Sequence, residues 1–177
     1  LGDRPPGEPQ PGGLYAFLVD AAGQDEALMD AEGMGNPGRD STTLSIVEIE
    51  LASLATLQAP IYRVMRRFAW QGENHLTILG RLQSLAGSWK PQYFVTDATG
   101  VGEGLWAMLD RAFPGRVLPV RFNRQVKSEI GWGFLSIIEM GRLRDCSTGP
   151  EREAARLQYA RCESQILPGP EKSLRWG

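Results

Sequence analysis

Two apolar runs that each finish on an aspartate constrain this chain more than any other feature. The first is "LYAFLVD", Leu14 to Asp20, and the second is "YFVTD", Tyr93 to Asp97. Runs this continuously apolar fit strands buried on both faces, in the middle of a sheet. Each places a carboxylate where its strand ends. A buried, unpaired charge costs several kcal/mol, on the order of the whole stability of a marginal domain, so each acid needs a cation or hydrogen-bond donors beside it.

The rest of the chain supplies a frame for those strands. Residues 1–13 hold four prolines and four glycines, the composition of a linker or a flexible arm, so folding is expected to begin at Leu14 and one domain to fill 14–177. Between Ala21 and Asp40 a long polar connection rich in glycine blocks regular structure. "STTLSIVEIELA" and "IYRVMRRFAW" are β-branched and aromatic and predict two antiparallel strands joined around Pro60. The period then changes, with Leu76, Leu79, Leu82, Ala86 and Trp89 at helical spacing. Pro91 ends that helix, "YFVTD" follows as the fourth strand, and a glycine-rich turn leads into a helix facing inward through Leu105, Met108, Leu109 and Ala112. "VLPVRF" predicts a fifth strand, a helix is expected from about Ser128, and Thr148 with Glu151 at capping-box spacing, plus Pro150, predicts another. "SLRW" reads as a last short strand. The order implies an α/β fold with a mixed central sheet, its first three strands antiparallel and the later ones parallel, and helices packed on both faces.

Composition excludes little. A net charge of −2 and a hydrophobic fraction of 42% suit both a nucleic-acid binder and a small-molecule enzyme. No apolar run reaches the roughly 18 residues that span a bilayer, and the N-terminus does not resemble a signal peptide, so an intracellular protein is expected. Cys146 and Cys162 are not spaced as a metal-binding pair, and His75 is the only histidine. Trp70, Trp89, Trp106 and Trp132 stand in or beside apolar patterns and are expected in the core.

If the first and fourth strands are parallel neighbours, Asp20 and Asp97 emerge at one sheet edge, a few ångströms apart. Two carboxylates that close repel unless a divalent cation neutralises them, and Mg²⁺ is commonly held by one or two carboxylates plus water and phosphate oxygens. Two such ions about 3.5–4 Å apart can activate a water and stabilise the leaving oxygen of a phosphodiester. The competing reading gives each aspartate a capping or turn-forming role, since Asp97 stands just ahead of glycines. Gly100, Gly102 and Gly104 do not have the spacing of a dinucleotide fingerprint, and the chain has no Walker-type sequence.

The segments "FLVDAAG", "RDSTTLSIVEI", "YFVTDATGVGEGLWAML", "VLPVRFNRQVKSEIGWGFLSIIEMGRL" and "KSLRWG" resemble the nuclease domain of the large terminase subunit of tailed bacteriophages and prophages. The resemblance runs from about Leu14 to the end and is most specific from Asp97 through Leu143. It implies an RNase H-like (RuvC-like) fold and a metal-dependent endonuclease cutting concatemeric viral double-stranded DNA with two Mg²⁺ or Mn²⁺ ions and little sequence preference. It implies an ATPase motor domain earlier in the same polypeptide, portal and small terminase proteins as partners, and residence in the cytoplasm of an infected or lysogenic bacterium. Asp20 and Asp97 match the first two family acids, as catalytic and metal-binding residues. The third acid of the family opens a His-Asp-Asp-like helix beyond the position of "KSLRWG"; that sequence does not occur here, so the domain is expected to lack its C-terminal acidic helix and this fragment to be inactive or weak.

Asp40 is a further metal candidate by the same resemblance, with a solvated turn residue as its other reading. Asp25, Glu26, Asp30 and Glu32 are expected to be solvated loop charges. For DNA contact the candidates are Lys127, which matches a basic family residue, with Arg121 and Arg124. Arg63, Arg66 and Arg67, on what is expected to be an outer strand that their charges protect, and Arg142 and Arg144 are weaker candidates. A branched-DNA resolvase of the same fold, or a docking module whose acids are structural, are the alternatives.

Overall fold

The structure, a computed structural model, describes residues 7–22, 41–168 and 172–176. Asp40, and with it Asp25, Glu26, Asp30 and Glu32, lies outside the described residues. In chain order the elements are β1 (Tyr15–Asp20), β2 (Ser41–Glu50), a 3₁₀ turn (Leu51–Ser53) running into α1 (Leu54–Leu57), β3 (Ile61–Gln71), α2 (His75–Trp89), β4 (Tyr93–Asp97), α3 (Gly102–Ala112), β5 (Val117–Val120), α4 (Arg124–Glu139), β6 (Leu143–Asp145), α5 (Pro150–Arg161), β7 (Ser164–Ile166) and β8 (Leu174–Trp176).

Six strands form one sheet in the order β5-β4-β1-β2-β3-β6. The first three make an antiparallel meander, while β4 joins β1, β5 joins β4 and β6 joins β3 in parallel. The two aspartate-tipped runs are therefore interior neighbours, β4 beside β1, but they are not buried on both faces as expected. Along each, burial alternates: Phe17, Val19, Phe94 and Thr96 are nearly inaccessible, whereas Leu18 is 41% exposed and Val95 half-buried.

The buried set faces α2 and α3. Phe17 meets Phe94 edge-on at 5.3 Å between ring centres, and both pack into a cluster with Ile78, Leu82, Leu105 and Leu109. Burial of each large apolar side chain contributes about 1.5–3 kcal/mol, so this face of the sheet dominates the stability of the fold. Helix α5 lies over the other face, where Pro150, Ala154 and Ala155 line a cleft with Ser41, Thr43 and Ser45.

Several expectations shift in register. Helix α2 begins at His75, with Asn74 Oδ1 accepting from the Thr77 N–H at 2.9 Å, and its inward face is His75, Ile78, Leu82, Ala86 and Trp89. Leu76 is 70% exposed, because at 3.6 residues per turn it stands about 120° round the helix from Leu82 and the buried stripe. Helix α4 begins at Arg124 rather than near Ser128, since Asn123 caps it through the Val126 N–H at 2.8 Å. The helix at Pro150 forms, but Gly149 is its cap residue and the Thr148 side chain does not cap it.

Strand β3 is not an edge over Tyr62–Val64. Strand β6 flanks it, and Arg63 is only 4% exposed, which removes both the edge-protection reading and the DNA role for that residue. "SLRW" is a strand, yet it pairs with β7 in a separate hairpin seated on α4: the Leu174 N–H donates to Ser128 Oγ at 2.8 Å and the Trp176 Nε1–H to the Lys127 carbonyl at 2.8 Å. Trp132 is 40% exposed and donates to the Lys172 carbonyl, so it is not a core residue, whereas Trp89 is buried.

Candidate functional site

The site begins with sheet register. Val19 pairs with Thr96 in the parallel β1–β4 ladder, and Asp20 and Asp97 each follow one step later. Adjacent strands run about 4.8 Å apart, and residues level with each other in parallel strands share a face. Both acids thus belong to the face of Leu18 and Val95, opposite the α2–α3 core, and both side chains reach solvent. Asp20 stays in the ladder on its other side opposite Thr43, and the chain leaving it is fixed by the Ala22 N–H donating to Thr42 Oγ1 at 3.1 Å. The parallel pairing of β1 with β4 is what brings two acids 77 positions apart in sequence to one edge.

Asp97 is set by its own turn. Its Oδ1 accepts the Thr99 N–H at 2.7 Å, an Asx turn that aims the carboxylate along the strand end. The chain then needs Gly100, with φ of +57°, and Gly102, where a Cβ would collide with the Asp97 carbonyl oxygen. Beyond the turn, Gly104 gives room for the buried His75 ring, whose Nδ1 would stand 3.2 Å from a Cβ there. Among the described residues Asp97 forms no ion pair. Two oxygen-donor carboxylates at one solvent-facing edge are the donor set that a hard divalent cation takes. The described residues contain no group of three His, Cys, Asp or Glu side chains able to hold a metal ion.

A cationic loop stands beside the turn. Asp97 is level with Val120 of β5, the Ala98 N–H donates to the Val120 carbonyl at 2.9 Å, and the Phe122 N–H donates to Thr99 Oγ1 at 2.9 Å. These bonds place Arg121, Arg124 and Lys127 on the flank of the Asp97 turn, all three exposed. Arg121 lies over the Trp106 ring at 5.1 Å and Lys127 over the Phe122 ring at 5.9 Å. Arg124 and Lys127 occupy the first turn of α4, which carries no acidic residue. The helix dipole is positive at that end, so the two cations add to its field and the local potential favours an anion.

Of the weaker candidates, Arg63, Arg67 and Arg142 are held elsewhere, while Arg66 is exposed. Arg63 is held by Glu50, with Nε 3.0 Å from Oε2, and stands 3.8 Å from Glu48. Burial pulls its guanidinium toward lower pKa, and the hydrogen bond and charge of Glu50 more than offset this, leaving it raised. Arg67 bonds Asp145, Tyr159 and Ser45, and Arg142 bonds the Pro60 carbonyl. Cys146 and Cys162 are free thiols. No described helix is long and apolar enough to cross a membrane.

The residue that sequence reasoning overlooks is Thr99, which bonds both the carboxylate turn and the basic loop. The pattern Asp-x-Thr before a glycine is the signal that could have found it, because an aspartate in that setting bonds the N–H two positions on.

Comparison with known proteins agrees with this fold. The family profile of the terminase RNase H-like domain matches residues 31–153. No curated protein matches the chain. Among solved structures it is similar to the large terminase nuclease from thermophilic phage G20c. The magnesium-bound form is 16% identical, with 96% of this chain and 74% of that one covered and a TM-score of 0.59. The cobalt-bound form gives a TM-score of 0.62 at 16% identity, covering 96% and 73%. The large terminase of a second thermophilic bacteriophage matches at 10% identity and a TM-score of 0.58, over 97% of this chain but 37% of that protein. At these identities the likeness is one of fold.

Proposed function

Because the chain belongs to the terminase RNase H-like domain family, we propose that it is the nuclease domain of a phage DNA-packaging terminase, hydrolysing phosphodiester bonds of double-stranded DNA with divalent metal. The observation that carries the reading is the matched emergence of Asp20 and Asp97 from neighbouring parallel strands onto one solvent-facing edge. Asp20 and Asp97 would hold Mg²⁺ or Mn²⁺, with phosphate oxygens and water filling the remaining positions. Such ions supply a water acidified enough to attack phosphorus and a charge that stabilises the leaving oxygen. The G20c nuclease has been solved with magnesium and with cobalt, which supports a divalent cation of this kind.

The chain's own residues bind and orient the substrate. Lys127, Arg124 and Arg121 offer cations to the phosphates next to the scissile bond, offsetting the repulsion between a polyanion and two carboxylates. Their contacts are with the phosphate backbone in this reading, so binding is salt-sensitive and largely independent of sequence. The third acidic donor of a complete site, and Asp40 as a further ligand, belong to the same proposal. So do an ATPase motor domain in the same polypeptide, portal and small terminase partners, and action in the bacterial cytoplasm. The large terminase of the second phage, whose length this chain spans by 37%, has the size for such a motor.

The test is nicking of supercoiled plasmid by the chain in Mn²⁺ and in Mg²⁺, beside Asp20→Asn and Asp97→Ala and with a chelator control. Weak, metal-dependent nicking that both substitutions abolish is expected. Nicking that survives either substitution or the chelator would refute the assignment. Equal rates on a four-way junction and on linear duplex are expected, and a strong junction preference would favour a resolvase instead.

A further inference from the structure

We propose that Thr99 is the positioning residue that fixes the distance between the metal-binding carboxylate and the phosphate-binding cations. This rests on the roles given above to Asp97 and Lys127. Thr99 uses its two polar groups in opposite directions. Its N–H donates to Asp97 Oδ1 at 2.7 Å, and its hydroxyl oxygen accepts the Phe122 N–H at 2.9 Å. Phe122 in turn carries Lys127 over its ring at 5.9 Å, and Asn123, the next residue, caps the helix that displays Arg124 and Lys127.

A continuous path thus runs from the Asp97 carboxylate through Thr99 to Phe122 and on to the Lys127 ammonium. The parallel ladder reinforces it through the Ala98 N–H on the Val120 carbonyl, but that bond is between backbones and any residue could make it. The hydroxyl of Thr99 is a side-chain group that ties the acid-bearing turn to the basic loop. Holding a reactant between two groups requires that their separation be set before it arrives, because misplacement by about 1 Å can cost a hundredfold in rate. A phosphodiester whose oxygens must meet a metal at Asp97 and an ammonium at Lys127 is such a reactant. A purely local role for the hydroxyl, closing an exposed turn, would be indifferent to what Lys127 does.

The two functions can be separated by substitution. Thr99→Val keeps the N–H and the β-branched shape but removes the acceptor, so the Asx turn survives and the Phe122 N–H loses its partner. Thr99→Ser keeps both. For each variant, Mn²⁺ affinity would be measured by titration calorimetry and affinity for a short labelled duplex by anisotropy, with Lys127→Ala and the Thr99→Val, Lys127→Ala double variant completing a cycle. Expected for Thr99→Val is unchanged Mn²⁺ affinity, duplex binding weakened about fivefold, the factor one hydrogen bond of ordinary net strength corresponds to, and recovery in Thr99→Ser. In the Lys127→Ala background the same substitution should cost less, the mark of coupled residues.

Four results would overturn the proposal: unchanged duplex affinity in Thr99→Val, no recovery in Thr99→Ser, additive losses in the cycle, or Mn²⁺ and duplex affinity falling in step. If Thr99→Val did not fold, amide exchange at Phe122 in Thr99→Ser and the unsubstituted chain would still report the bond, and loss of protection in either would count against it. An unsubstituted chain whose Mn²⁺ binding is indifferent to Asp97→Ala would defeat the functional reading itself, an outcome distinct from all of these.

Discussion

Two groups of carboxylates sit on the same sheet and are treated in opposite ways. Toward one end, Glu48 and Glu50 of β2 close around Arg63 of β3, a guanidinium 4% exposed and bonded to Glu50. At the other end, Asp97 meets a backbone N–H and solvent, level with Asp20 on the next strand. In the first place the protein supplies its own cation. In the second Asp97 forms no ion pair among the described residues, the proposed function has a cation from outside supply the missing charge, and the protein's cations stand to one side, on the loop after β5 and the first turn of α4. On that proposal the contrast separates a charge cluster that belongs to folding from one available for chemistry.

Breaking the internal cluster should give the largest effect. Arg63→Met leaves two carboxylates beside each other in a buried setting, and stability is expected to fall by about 3–5 kcal/mol in denaturant titration, with Mn²⁺ affinity of the folded fraction unchanged. Next comes Asp97→Ala, expected to weaken Mn²⁺ binding by about a hundredfold or more, since even outer-shell partners of a metal are worth roughly 10–100-fold. Its stability should fall by no more than about 1 kcal/mol, the net worth of the Asx-turn hydrogen bond it loses. A drop in stability as large as that of Arg63→Met would erase the distinction between the two clusters.

Gly102→Ala probes the turn between Asp97 and the helix behind it. A Cβ there meets the Asp97 carbonyl oxygen, so the turn must shift, at a cost of about 1–3 kcal/mol, and the carboxylate should lose metal affinity with it. Lys127→Ala should have the smallest effect: duplex binding weakened alike for all sequences, with the slope of log affinity against log salt reduced by about 1. Dependence of that loss on base sequence would contradict backbone contact.

Much of this architecture was legible because its signals are local and repeated. Continuous apolar strands announce a buried centre, and the change of period after Trp70 announces α2, so the meander followed by parallel strands could be read directly. The matched acids were legible too, because each closes a run whose burial is evident. What escaped were features set by partners distant in sequence. Arg63 reads as one of three surface arginines until Glu48 and Glu50 fold against it, and β3 reads as an edge until β6 arrives from far along the chain to pair Leu143 with Tyr62. The start of α4 depends on a single cap at Asn123, and moving it places Arg124 and Lys127 on a helix rather than a loop. The role of Thr99 needs both strands in place, since one of its bonds is to the aspartate two positions back and the other crosses to Phe122.

The most direct measurement is an anomalous difference map from crystals of the chain soaked in Mn²⁺. The account expects a peak between the carboxylates of Asp20 and Asp97, lost in Asp97→Ala crystals treated alike. Manganese found only elsewhere on the molecule, or a peak that persists without the Asp97 carboxylate, would contradict it.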